Sequence, residues 1–405
     1  MKNTITSLLL VSIFKNVLKD EVISSFVNLI SLVSSTENIT EILKAYSLFV
    51  SKLYERAENQ NLYLYLKNLI YTDENILSNG CSECISENNV ILGTAKYELS
   101  LFDLLLSFNY IEIKQELISK FSNMLDILEH LPFYSVDGVS SFDIDDILSS
   151  YKHKGFGVFS CYSAFEYTKE KKVLPIKNYD FLSFSDLKNY EYQKNIIKQN
   201  TKAFLEDKEA NNILLYGDRG CGKSSTVKAL LTEFSDSNLK IIQVYKESFI
   251  HLTELFSQLR TQPAKFIIFA DDISFGESDK DFSSIKAILE GSLSNKPSNV
   301  IIYATTNRIH LVKETFTSRE GDEIHYNDTI DEMVSLSDRF GIMLTFSLLT
   351  KNEYLDIVEQ IAIDCCVEVN DTLYKEAEAF AALKSIRTPR VARQFIVDFI
   401  AKHEL

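Results

Sequence analysis

The 405-residue chain is 45% hydrophobic and carries a formal net charge of -15, which gives it apolar surface for two or three cores and the wrong overall field for coating nucleic acid or an anionic membrane. Six cysteines in this length are ordinary usage for a reducing compartment, so free thiols and a cytoplasmic location are expected. No stretch approaches the ~20 uninterrupted apolar residues that cross a bilayer, which argues against a membrane role.

The apolar run Ile5 to Phe14 has the look of a short signal segment, but Lys15 and Lys19 interrupt it and no small-residue cleavage site follows; a core helix is expected instead. Through residues 1–150 apolar side chains recur at helical spacing, as in Phe102, Leu105, Leu106 and Tyr110 or Phe121, Met124, Leu125 and Leu128. This predicts an all-helical N-terminal domain. Within it Cys81 and Cys84 have metal-site spacing but no second pair, and Asp143, Asp145 and Asp146 lack the glycine and glutamate of a calcium loop, so they are expected at a helix N-terminus.

Residues 151–180 change character, with Gly155, Gly157, the charged cluster Lys169 to Lys172 and then Pro175, and are expected to form a connector with room for one strand pair. Short apolar strands then alternate with amphipathic helices, the signature of a parallel sheet covered by helices, over residues 181–349. The predicted strands are Ile213 to Tyr216, Ile241 to Val244, Phe266 to Ala270, Val300 to Ala304 and Ile342 to Phe346. A capping box at Thr350 and Glu353 opens a C-terminal helical lid over residues 350–405.

Gly217-Asp218-Arg219-Gly220-Cys221-Gly222-Lys223-Ser224 satisfies G-x-x-x-x-G-K-[ST] between a strand and a helical run that starts at Ser225. Its glycines let consecutive N–H groups and a helix N-terminus face phosphate. Lys223 should neutralise β- and γ-oxygens of ATP, and Ser224 should hold Mg²⁺. The apolar strand ending in Asp271-Asp272 delivers two carboxylates to the same edge. Asp271 would organise the Mg²⁺ shell and Asp272 would orient or deprotonate the attacking water. An aspartate in the second position is one methylene shorter than the more usual glutamate, which suits slow hydrolysis or a water held closer to the backbone.

Only Arg56 precedes the P-loop. The later arginines are informative because a planar, permanently charged fork grips phosphate in a way that lysine does not. Arg219 lies in the P-loop, Arg308 follows Asn307, Arg339 sits before the last strand, and Arg387, Arg390 and Arg393 open the last helix.

In this order the motifs resemble AAA+ ATPases. By that resemblance Asn307 is sensor 1, Arg339 the arginine finger and Arg390 sensor 2. The segments around Gly217, Asp271, Asn307 and Ser335-Leu336-Ser337-Asp338-Arg339-Phe340-Gly341 are similar to a bacterial AAA+ family known as an ATP-binding domain of unknown function, over about Tyr179 to Leu405. Asn189 and Pro389 stand where that family has glycine, and Ile309 where it tends to repeat arginine.

The resemblance implies a homo-oligomeric ring or open assembly that remodels a protein or complex recruited by the helical N-terminal domain. The alternative is a slowly hydrolysing, ATP-dependent switch or loader for a DNA-handling partner. A small-molecule kinase shares the first motif but not the arginines or the large N-terminal domain.

Overall fold

The computed structural model describes residues 2–80, 90–138, 141–179, 181–273, 296–307 and 340–403. The chain divides into two compact units, Met1–Cys161 with Thr261–Pro263, and Tyr162–Arg260 with Ala264–Leu405. No described helix is long and apolar enough to cross a membrane.

Among its described residues the first unit is built from helices and the loops between them, with no strand. Helix Glu21–Ser35 buries Val22, Ile23, Phe26, Leu29, Ile30 and Val33 on one stripe, and Asp20 caps it by accepting from the amides of Val22 and Ile23. Helix Ile39–Arg56 brings Phe49 against Phe26, with ring centroids 4.7 Å apart. Asp143 caps helix Ile144–Lys154, with Asp145 and Asp146 in its first turn, so the acidic run sits where the helix dipole favours it.

The expected helix over Ile5 to Phe14 is a point of correction. Helix Lys2–Leu8 stops early, Leu9 and Leu10 are exposed, and a second helix begins only at Lys15. The cause lies far away in sequence. Glu98, 1% exposed on helix Val90–Leu106, accepts the amides of Ser12 and Ile13 and the Ser12 hydroxyl at Oε1, and the amides of Ile13 and Phe14 at Oε2. A buried carboxylate held by converging N–H groups is worth more than the local helical turn it replaces. Glu98→Gln presents an amide N–H₂ to those donors and should lower the unfolding free energy by about 3 kcal/mol, measured by denaturant titration of the full chain. A loss below about 0.5 kcal/mol would mean that the turn is held by packing alone.

The second unit is built on a seven-stranded sheet among the described residues, in the order β2-β1-β4-β5-β6-β3-β7. Its strands are β1 (Ala164–Tyr167), β2 (Val173–Pro175), β3 (Ile213–Gly217), β4 (Leu239–Val244), β5 (Lys265–Ala270), β6 (Val300–Thr306) and β7 (Ile342–Phe346). All neighbours are parallel except the β1–β2 hairpin. Strands β5 and β6 are apolar almost without interruption because both faces are covered.

The strand pair within residues 151–180 thus joins the sheet, with β1 parallel to β4 from Ala164↔Ile241 to Tyr167↔Val244. Helix Glu191–Leu205 is fixed to the core by Asn200, which bonds both the amide and the carbonyl of Asn211, and by Thr201 against the Tyr303 hydroxyl. Helices Lys351–Asp364, Asp371–Lys384 and Pro389–His403 follow β7 around their own cluster of Tyr354, Val358, Leu373, Ala392 and Phe395. The Thr350–Glu353 capping box is present. The fold class is therefore the expected one: a mostly parallel sheet flanked by helices, with C-terminal helices after it and a helical unit before it.

Candidate nucleotide site

The P-loop leaves β3 through a close approach. Gly217 has φ +138°, and a Cβ there would lie 2.1 Å from the Phe346 carbonyl oxygen of β7, so this position requires glycine. The Asp218 amide donates to that carbonyl at 3.2 Å. Gly220 and Gly222 take φ of +83° and +91°, turning the chain into helix Lys223–Lys228, which no side chain caps. The amides of its first turn, with Ser224 and Ser225 among them, are the unpaired donors that suit an anion.

Lys223 is 6% exposed. Its ammonium donates to the carbonyls of Gly217 and Asp218, each at 2.8 Å, and to Asn307 Oδ1 at 2.9 Å. Burial pulls its pKa below the ordinary lysine value, against the opposing charges of Asp272, Asp218 and Asp271. The Ser224 hydroxyl donates to Asp271 Oδ1 at 2.5 Å. Asn307 Nδ2 donates to Asp272 Oδ1, so Asn307 links the lysine to the second carboxylate. The ends of β3, β5 and β6 thus bring Lys223, Ser224, Asp271, Asp272 and Asn307 together.

The cavity over this cluster has a volume of about 790 Å³. Arg219, Cys221 and Ser225 line it from the P-loop, and Ile357, Arg390 and Arg393 from the C-terminal helices. Thr388 caps the last helix by accepting the Val391 amide, and Pro389 takes the first helical position, where its missing N–H costs nothing. The Arg390 amide donates to the Gly220 carbonyl at 3.4 Å, and a Cβ on Gly220 would come within 3.1 Å of Thr388 Oγ1. Asn189 adopts φ +70°, a left-handed conformation that asparagine tolerates.

Sequence reasoning missed two contributors. Tyr190, also left-handed at φ +61°, donates its hydroxyl to the Ser347 carbonyl at 2.7 Å and packs its ring on Phe346 at 4.9 Å. Burial drives its pKa up. No local pattern marks that tyrosine. Thr305 stands between the two aspartates, and its signal was a hydroxyl residue at the end of an otherwise apolar strand. Arg339, Arg308, Cys81, Cys84 and the polar loops at 279–282 and 320–331 lie outside the described residues.

The donor set fits Mg-ATP. A hydroxyl and a carboxylate at hydrogen-bond distance are hard oxygen ligands of the kind Mg²⁺ takes alongside water, and the uncapped helix end beside a buried ammonium suits a triphosphate. Among the described residues no group of three or more His, Cys, Asp or Glu side chains offers a competing metal cage.

Residues 160–403 match the family described as a protein of unknown function, DUF815. The chain belongs to that family. The DUF815 match runs from just before β1 to the last helix, so it takes in the sheet, the site and the C-terminal helices together. No curated protein sequence is significantly similar to the chain. Similar solved structures include RuvB of Thermotoga maritima, at 17% identity and a TM-score of 0.39 over 55% of this chain and 66% of that one. Another is the Aeropyrum pernix ORC1 protein in complex with DNA, at 16% and 0.39 over 54% and 62%. The FIGL-1 AAA domain in complex with ADP matches at 18% and 0.32 over 46% and 62%. The chain spans just under two thirds of each of these.

Proposed function

We propose that this DUF815 protein is a Mg-ATP-binding AAA+ ATPase that couples ATP binding and hydrolysis to remodelling of a protein or complex. The observation that carries this is the convergence of Lys223, the Ser224–Asp271 pair at 2.5 Å and the Asn307–Asp272 link on one sheet edge. Lys223 neutralises the β- and γ-phosphate oxygens, Ser224 and Asp271 hold Mg²⁺, Asp272 orients the attacking water, and Asn307 fixes Asp272 relative to Lys223. Arg390 reaches the phosphates from the lid. Arg339 acts as an arginine finger supplied by a neighbouring protomer, which makes activity depend on a homo-oligomeric ring or open assembly. Residues 1–150 recruit the protein substrate, residues 151–180 connect, residues 181–349 form the catalytic core, and residues 350–405 move as the lid in the cytoplasm.

A second proposal, favoured by the left-handed φ of +50° at Asp272 and its bond to Asn307, is a slowly hydrolysing switch or loader that recruits a DNA-handling partner. Steady-state hydrolysis across protein concentrations, with ATP binding measured in parallel, separates the two. For the motor, turnover per chain rises with concentration and falls about 10³-fold or more in Arg339→Ala, while ATP binding survives. Tight binding with negligible turnover selects the switch, and concentration-independent turnover in both proteins would sink the finger assignment.

A further inference from the structure

Strand β6 outruns its neighbour. Its last pair with β5 is Ala270↔Ala304, yet it continues through Thr306, so Thr305 stands beside the residues that follow β5. Thr305 is 1% exposed. Its hydroxyl donates to Asp271 Oδ1 at 2.6 Å and accepts the Asp272 amide at 2.8 Å, and its carbonyl accepts the Ile273 amide at 2.8 Å. One residue thereby fixes three consecutive positions.

The consequences differ for the two aspartates. Asp271 Oδ1 receives the hydroxyls of both Thr305 and Ser224, so its carboxylate is pinned from the sheet on one side and from the P-loop helix on the other. Asp272 is left-handed, a conformation that costs an aspartate roughly 1 kcal/mol unless its surroundings hold it. Its amide is held by Thr305 and its carboxylate by Asn307. Thr305 near the end of β6 and Asn307 directly after it therefore hold the two members of the pair between them.

Resting on the ATPase proposal above, we propose that Thr305 is the positioning residue of this site: its hydroxyl aims Asp271 at Ser224 and fixes the bend at Asp272, so that β6 sets how strongly a divalent cation supports nucleotide binding. Valine keeps the shape of threonine and removes the hydroxyl. Serine keeps the hydroxyl and removes the methyl group.

The test measures ATP affinity of the full chain by calorimetry, in Mg²⁺ and in EDTA, for wild type, Thr305→Val and Thr305→Ser. In wild type Mg²⁺ strengthens binding. In Thr305→Val that strengthening should shrink about tenfold, as for residues that orient metal ligands, while affinity in EDTA holds, and Thr305→Ser should restore it. Should the valine variant be unstable, Thr305→Cys, with a weak donor of similar size, should fall in between. A Thr305→Val ratio equal to wild type overturns the inference, and so does an equal loss in the valine and serine variants, which would assign the effect to the methyl group. A wild-type chain that binds no ATP even with Mg²⁺ overturns the nucleotide proposal itself, and this one with it.

Discussion

Lys223→Met should remove nucleotide-dependent stabilisation from the protein without destabilising the free form. A hydrogen bond from a charged group contributes about 1.5–3 kcal/mol, which is about 10- to 150-fold in affinity. At ATP one hundred times its dissociation constant the wild type gains about 2.7 kcal/mol, whereas a variant binding 100-fold more weakly gains about 0.4 kcal/mol. The free form keeps its stability for a reason of sign. Burial lowers the Lys223 pKa in the folded state, so its charge costs stability in full below the lowered value, and that cost fades as pH rises from there to the ordinary lysine value. Methionine removes the charge and with it that cost, which offsets the loss of the three hydrogen bonds to Gly217, Asp218 and Asn307. ATP, by contrast, is bound best by the protonated lysine, so wild-type affinity should fall as pH rises through the lowered value. Thermal melts with and without ATP across pH check both statements, and an ATP-induced shift in Lys223→Met as large as in wild type would refute the phosphate role.

Asp272→Asn should lower the hydrolysis rate about 10²- to 10⁴-fold and leave ATP binding intact. The substitution keeps an oxygen for Asn307 but removes the group that can take a proton from water. Single-turnover hydrolysis with prebound ATP isolates the chemical step, and a rate unchanged by the variant would take Asp272 out of the chemistry. The wild-type rate in the same experiment bears on the switch. Asp272 is held from its amide by Thr305 and from its carboxylate by Asn307, so a slow wild type that loses little on substitution points to a carboxylate committed to structure.

Much of the second unit was legible in the sequence. Five strands fall within two residues of their expected bounds, because fully buried parallel strands write themselves as apolar runs. The capping box at Thr350 was equally plain, since both partners lie within four residues. Strands β1 and β2 were harder. They are short, β2 is half-exposed, and what makes β1 part of the sheet is its pairing with β4, more than seventy residues along the chain.

The sequence by itself determined the P-loop, the acidic pair and the order of elements, because these depend on residue type and on spacing within one strand or one helical turn. Only the tertiary structure decided how Glu98 gathers the turn at Ser12 to Phe14, why Gly217 must be glycine against Phe346, and that Thr305 bonds both aspartates. Each of those depends on a partner brought close by folding, from 33 to 129 residues away in the chain, and contacts at such separations leave no periodic trace in the residues that make them.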